Sequence, residues 1–228
     1  FPRRMSGTAL GLQAGIGNFG VSLIQFLTPW VVGFGLLGVT YITPQEKIDG
    51  GHMWLHNAGL VLIPWVVLGM VLAAVFLRRV PVTANFREQL DIFGDRHTWY
   101  MTAIYTMTFG AFSGFAAQLG LLINAQYGSF ADAPDPLKFA FLGPLLGSAT
   151  RALWGPLCDK YGGAVWTFVA GIGITAATLF TVFFLTPTDV SQFGLFLAGM
   201  LAIFTFAGIG NAGTFKQMPM IFDRRQAG

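Results

Sequence analysis

The stretch Ala14-Gly15-Ile16-Gly17-Asn18-Phe19-Gly20 returns almost unchanged as Ala207-Gly208-Ile209-Gly210-Asn211-Ala212-Gly213, and each copy lies within a long apolar segment. Glycine weakens a helix, and an asparagine among hydrocarbon chains needs hydrogen-bond partners. Two interpretations stay open. The four-residue spacing of Gly7, Gly11 and Gly15 is typical of helices whose backbones touch. Asn18 and Asn211 also suit the wall of a polar cavity within a membrane.

Composition places the chain among membrane proteins. Of its 228 residues 54% are hydrophobic and 10% are charged, whereas a soluble domain has roughly 25% charged residues. A membrane-spanning helix needs about 20 apolar residues. Glycine and phenylalanine occur throughout the apolar stretches without the strict alternation of barrel strands. The sequence therefore predicts an all-α membrane protein with six spans, at 7–37, 57–77, 98–123, 137–157, 164–185 and 192–215.

The basic residues predict the orientation of these spans. One side of the membrane would carry ten of the thirteen Lys and Arg residues, and the other only Lys47 and Lys138. By the positive-inside rule, the richer side is cytoplasmic, so both ends of the chain are expected there. This topology explains the net charge of +3 without nucleic-acid binding. The ten are Arg3, Arg4, Arg78, Arg79, Arg87, Arg96, Lys160, Lys216, Arg224 and Arg225.

Arg151 is the one basic residue at mid-membrane depth. The six predicted spans contain no Asp, Glu or His, so its partner is either a group outside these spans or an anionic substrate. A charge within the bilayer is costly and is usually functional. The planar guanidinium suits a small planar oxyanion, because two N–H groups can meet two oxygens at once.

Two aromatic residues are candidates to surround an anion at Arg151. Tyr105 and Phe109 are four residues apart and share one helix face. The same spacing also occurs in ordinary helix packing. His52 and His56 have the spacing of metal ligands, but they lie in the polar 40–57 loop without an evident third ligand, so we expect neither a metal site nor another cofactor.

The short turn after the fourth span carries the most specific motif. It runs Gly155-Pro156-Leu157-Cys158-Asp159-Lys160-Tyr161-Gly162-Gly163. We expect Asp159 and Lys160 to cap or bridge helix ends, and Gly162 and Gly163 to let the chain reverse. Lys216 is expected to extend to the cytoplasmic headgroups, with the substrate path as the alternative.

This turn resembles the cytoplasmic gating motif of the major facilitator superfamily. Within that superfamily, residues 11–22 resemble the signature of the fifth helix of the nitrate/nitrite porter family, and residues 208–219 resemble its tenth helix. Residues 149–152 resemble the segment with its eighth-helix arginine. The resemblance covers the whole chain and implies helices five to ten of a twelve-helix fold. Residues 1–77 would then end the N-terminal bundle, 78–97 would be the cytoplasmic loop between bundles, and 98–228 would begin the C-terminal bundle.

The resemblance also implies a binding site. The family holds nitrate between two arginines, of which Arg151 matches one and the other lies on a helix absent from this chain. The remaining implied substrate-binding residues are Tyr105, Phe109, Gly17, Asn18, Gly20 and Asn211. The implied gating residues are Gly155, Asp159, Lys160, Gly162 and Gly163.

The function implied is secondary transport of nitrate and nitrite across the cell membrane by alternating access, with exchange of the two anions favoured. The alternatives are proton-coupled nitrate uptake and a carrier of another small anion. A membrane subunit of a redox enzyme would need intramembrane histidines to hold haem, and the predicted spans have none. We therefore expect a transporter and not an enzyme, without a cofactor, acting as a monomer in the lipid bilayer.

Overall fold

The computed structural model describes residues 3–35, 44–46, 51–77 and 90–222. Helices form most of this part of the chain. Short 3-10 turns precede four of them, at Arg3–Met5, Asp91–Gly94, Pro136–Lys138 and Val190–Gln192. The helices are α1 (Ser6–Val31), α2 (Asn57–Leu60), α3 (Ile63–Phe76), α4 (Arg96–Tyr105), a π-helix (Thr106–Gly110), α5 (Ala111–Tyr127), α6 (Leu142–Tyr161), α7 (Gly163–Val182) and α8 (Phe193–Ile221).

The helical fold confirms the fold class predicted from composition. Five helical stretches in the described part of the chain are long and apolar enough to cross a membrane, and α6 is not among them. This exception follows from its polar side chains, because α6 carries Arg151, Asp159 and Lys160. Two predicted boundaries were wrong. The first span ends as a helix at Val31, and the fourth begins at Leu142, because Pro136–Lys138 is a 3-10 turn that the Asp135 carboxylate caps.

The chain divides into two compact units, Phe1–Leu23 with Asp91–Gly228, and Ile24–Leu90. The second unit contains a small antiparallel pair of strands, β1 (Gln45–Glu46) and β2 (His52–Met53), followed by α2 and α3. Within it, the buried Asn57 amide donates to the carbonyl oxygens of Val31 at 3.3 Å and Phe34 at 2.5 Å. These bonds tie α2 to the end of α1 and to the turn that follows it. Of the predicted 78–97 loop, residues 78–89 lie outside the described residues.

The glycine stripe on α1 packs directly against α6. Gly7, Gly11 and Gly15 are all buried. A methyl group at Gly11 would come within 3.1 Å of the Arg151 carbonyl oxygen, and one at Gly15 within 2.9 Å of the Ala152 Cβ. The spacing of these glycines thus predicted a true helix contact. This contact fixes the backbone of α6 at the level of Arg151.

Helix α8 occupies the centre of the first unit and touches α4, the π-helix, α5, α6 and α7. Its glycines make this possible. A methyl group at Gly210 would lie 2.5 Å from the Thr108 Cγ2, and one at Gly213 would lie 2.7 Å from the Gly163 carbonyl oxygen. The second heptapeptide is therefore a close-packing element on several sides at once. In the first heptapeptide only Gly15 is packed in this way, because methyl groups at Gly17 and Gly20 meet no described atom within 4 Å.

Candidate anion-binding site

Arg151 is buried among helices, without a counter-charge in the described residues. Its side chain lies in α6 and the residue is 2% exposed. No hydrogen bond or ion pair joins it to another residue in the described ranges, and its Nε atom is buried without a partner. A buried, unpaired guanidinium costs several kcal/mol unless something compensates it. The described part of the chain therefore leaves Arg151 with unused hydrogen-bond donors.

An aromatic wall stands beside this guanidinium. The Arg151 Cζ lies 4.4 Å from the centroid of the Phe215 ring, which is a cation–π contact. Phe215 meets the Tyr105 ring edge to face at 5.7 Å, and Tyr105 stacks on Phe109 at 5.1 Å with nearly parallel planes. The structure thus connects Arg151 to Tyr105 and Phe109 through Phe215, so these predicted site residues lie in one cluster.

The predicted site residue Asn211 lies in α8 four residues before Phe215, on the same helix face. It is fully buried. Its Oδ1 atom lies 3.2 Å from the hydroxyl of Thr108 in the π-helix, and its Nδ2 atom is buried without a hydrogen-bond partner among the described residues. Asn211 therefore offers an amide donor about one helical turn from Phe215, roughly 6 Å along α8.

The signature residues on α1 are placed differently. Gly17 is exposed and Gly20 is partly exposed, so neither glycine is packed against the part of the chain that the structure describes. Asn18 is half-buried, and its Nδ2 atom has no partner within the described ranges. A cavity of about 140 Å³ lies nearby, between α1 and α6, and is lined by Gly15, Ile16, Phe19, Ser148, Ala149 and Ala152.

Asp159 joins three helices at the far end of α6. Its carboxylate accepts hydrogen bonds from the backbone N–H groups of Gly7 at 2.8 Å and Thr8 at 2.7 Å, and from the Thr8 hydroxyl at 2.6 Å. It also forms an ion pair with the Lys216 ammonium of α8 at 2.7 Å. A carboxylate at a helix N-terminus is stabilised by the unpaired N–H groups and the helix dipole. We call Asp159, Lys216, Gly7 and Thr8 the carboxylate clamp.

The clamp corrects the prediction for Lys216. Its side chain does not extend to the headgroups, because Lys216 is 5% exposed. Its ammonium group also donates to the Ser6 hydroxyl at 3.2 Å. The ion pair with Asp159 keeps the charge inside the protein, away from the solvated surface that the sequence had suggested.

The other gating residues mostly shape the backbone. Gly162 has a φ of +88°, a left-handed value that favours glycine, and Gly163 begins α7 against the backbone of α8. Gly155 faces the backbone of Gly7 on α1. Lys160 is exposed and lies over the Tyr161 ring at 5.0 Å. The clamp therefore uses Asp159 of the motif and not Lys160.

Metal ligands do not gather in the described residues, where no group of three or more His, Cys, Asp or Glu side chains occurs. His52 lies in β2 with its ring 6.1 Å from the Trp54 ring. The donors that the site does contain are a guanidinium and an amide, which suit an anion and not a cation.

Sequence reasoning missed Phe215, Thr108 and the role of Lys216. Phe215 could have been found, because it lies four residues after Asn211 on the same helix face. Thr108 and Lys216 carried no comparable signal. Each touches a residue far along the chain, Asn211 and Asp159 respectively, and only the packing of α8 against its neighbours brings them together.

Comparison with known proteins finds relatives that are named as nitrate/nitrite transporters. No family model matches the chain. It is 55% identical, over its full length, to a Thermus thermophilus protein named "Probable nitrate/nitrite antiporter NarK2", and covers 52% of that relative. It is 34% identical, over 97% of its length, to the Escherichia coli protein named "Nitrate/nitrite transporter NarU", and covers 47% of it. The chain thus spans about half the length of the relatives it matches.

A more distant relative has a related name. The chain is 24% identical to a Bacillus subtilis protein named "Nitrite extrusion protein" and again covers about half of it, 51%. The names of these three relatives describe movement of nitrate or nitrite, and none of them is the name of an enzyme.

Proposed function

Because this chain belongs to the nitrate/nitrite porter family of the major facilitator superfamily, we propose that the whole protein exchanges nitrate and nitrite across the cell membrane by alternating access. In this mechanism the substrate stays near mid-membrane while two helix bundles rock about it. The proposed division of the chain is the one that the resemblance implies, with 1–77 and 98–228 in different bundles and 78–97 between them. The proposed working form is a monomer.

The observation that carries this proposal is the buried guanidinium of Arg151, which lies beside aromatic rings and has no hydrogen-bond or ion-pair partner among the described residues. Nitrate and nitrite are planar anions whose oxygens can accept two parallel N–H donors from one arginine. The ring of Phe215 packs against the guanidinium at 4.4 Å. Rings that exclude water strengthen the attraction between the guanidinium and an anion. Tyr105 and Phe109 would close the same side of the site, and Asn211 would add a neutral donor.

The substrate is tested by competition in proteoliposomes that contain the full-length protein. Uptake of labelled nitrate should be blocked by excess nitrate or nitrite and much less by chloride, sulfate or phosphate. Nitrate and nitrite are small and flat, whereas sulfate and phosphate are tetrahedral and chloride has only one atom to meet two N–H donors. A carrier for another small anion is the rival. Equal competition by a non-planar anion would favour that rival and contradict the proposed substrate.

Alternating access needs contacts that form in one state and break in another, and the carboxylate clamp is a candidate for such a contact. It joins α1, α6 and α8 through four hydrogen bonds to one carboxylate, at 2.6–2.8 Å. Charge-assisted bonds of this kind are each worth roughly 1.5–3 kcal/mol. Loss of the clamp would therefore shift the balance between closed and open states at the cytoplasmic end.

Cys158, which is buried next to Asp159, can report on the clamp. We expect Lys216→Ala to raise the rate of Cys158 modification by a thiol reagent about tenfold, because the lost bond is worth roughly 1.5 kcal/mol or more. The matched control is Lys160→Ala, which removes a nearby lysine that does not touch the carboxylate. The measurement uses the full-length protein in which Cys158 is the sole cysteine. Equal rates in the two variants would show that the clamp does not hold the cytoplasmic end closed.

We propose that the turn after α6 is cytoplasmic and that the α5–α6 and α7–α8 connections face outward. The ten-to-two distribution of basic residues supports this orientation. In a Cys158→Ser background, cysteines at the exposed positions Asp132 and Asp189 should react with an impermeant reagent added to intact cells. A cysteine at Lys160 should react only after the cells are opened. The reverse pattern would invert the topology.

A further inference from the structure

Thr108 is a fully buried threonine without an assigned role in the proposed anion site. Its hydroxyl lies 3.2 Å from the Asn211 Oδ1 atom and 3.1 Å from the carbonyl oxygen of Ile104. Asn211 is equally buried, and its Nδ2 atom has no partner among the described residues. Such an unsatisfied donor costs roughly 1–3 kcal/mol. The pair therefore leaves an amide N–H group available for a ligand.

The backbone around Thr108 is unusual. Residues Thr106–Gly110 form a π-helix in an otherwise α-helical span, and segments of this type are frequent at functional sites. This π-helix directly follows Tyr105 and includes Phe109, so Thr108 lies between the two rings of the aromatic wall along the chain. Gly210 makes the approach possible, because a methyl group there would come within 2.5 Å of the Thr108 Cγ2.

We propose that Thr108 is a positioning residue for the anion, acting through Asn211. When its hydroxyl donates to Oδ1, the amide must present its Nδ2 donor to the ligand. The reversed amide would present an oxygen atom, which repels an anion. This inference rests on the proposed function, because it assigns the donor set of the same site: the Arg151 guanidinium and a neutral Asn211 amide.

The hydroxyl has one proton, so its bond to Asn211 competes with its bond to the Ile104 carbonyl. A bound anion that accepts the amide N–H favours the bond to Asn211, because only that arrangement satisfies both ends of the amide. Binding of the anion and orientation of the amide are therefore coupled. Thr108 should affect the affinity for the anion more than the turnover of the loaded protein.

The experiment measures nitrate KM and kcat for full-length variants in proteoliposomes. Thr108→Val keeps the shape and removes the hydroxyl, and it should raise KM about tenfold with little change in kcat, the loss expected for one misdirected hydrogen bond to an anion. Thr108→Ser keeps the hydroxyl and should stay within about threefold of the parent by the same reasoning. The matched control is Thr102→Val, which removes an exposed threonine bonded only to its own helix at the Thr98 carbonyl.

An Asn211→Ala background isolates the coupling. There Thr108→Val should have little further effect on KM, because no amide remains to orient. Equal impairment by Thr108→Ser and Thr108→Val, a fall in kcat alone, or the same KM change in the Asn211→Ala background would overturn the assignment. Melting of each variant without nitrate separates misfolding from lost affinity. A parent protein that does not transport nitrate would instead contradict the proposed function, so the two failures are distinct.

Discussion

Arg151→Lys in the full-length protein should weaken nitrate binding by about 1–3 kcal/mol, the scale of hydrogen bonds to a charged group. Arg151→Ala should abolish transport at ordinary nitrate concentrations. Lysine keeps the charge but cannot offer two parallel donors to one planar anion. It also lacks the flat face that packs on Phe215 at 4.4 Å. Nitrate affinity measured by calorimetry and uptake into proteoliposomes would report both effects.

The matched control for Arg151 is Arg96→Lys at the exposed start of α4, which should leave affinity and uptake unchanged. A second measurement separates a binding role from a structural one. Arg151→Met removes a buried charge that lacks a counter-ion in the described residues, so the nitrate-free protein should melt at a higher temperature. A lower melting temperature, with nitrate uptake by Arg151→Lys like that of the parent, would show that Arg151 is part of a structural ion pair.

The helices were predictable because membrane spans depend on local composition. Apolar stretches of about 20 residues are helices whatever their neighbours are, since the backbone must satisfy its own hydrogen bonds in lipid. The glycine stripe at Gly7, Gly11 and Gly15 was equally local, and its spacing indicated a close helix contact before the partner was known. Arg151 was predicted as a site residue because the predicted spans contain no acidic residue to pair with it, and a charge at that depth in a membrane is usually functional.

The carboxylate clamp and the contact between Thr108 and Asn211 were not predictable in this way. Asp159 and Lys216 are 57 residues apart, and Thr108 and Asn211 are 103 apart. No periodicity links such pairs, because the crossing of two helices decides which side chains meet. The start of α6 was also misplaced, since Phe139 and Phe141 are as apolar as the helix that follows. Here the capping carboxylate of Asp135 and the Pro136 turn set the local structure.

The mode of coupling gives the last prediction. The six predicted spans contain no carboxylate or histidine, the groups that proton relays in membranes usually use. Without an anion, Arg151 is a buried charge that no described residue compensates, and the second arginine implied by the family would add repulsion. Bound nitrate or nitrite relieves both the cost of the buried charge and the repulsion between the arginines. The rocking motion should therefore be favoured only when the site is occupied.

The test uses proteoliposomes that contain the full-length protein. Those loaded with nitrite should take up labelled nitrate at least about tenfold faster than empty ones. The reason is that each 1.4 kcal/mol of energy cost from the uncompensated charge slows the return of the empty site about tenfold. An inward proton gradient should add little. The measurement compares four conditions, with and without internal nitrite and with and without the gradient. Internal sulfate serves as a control, because it supplies negative charge on a tetrahedral anion and not on a flat one. Uptake that requires the proton gradient and ignores internal nitrite would contradict exchange and favour proton-coupled uptake.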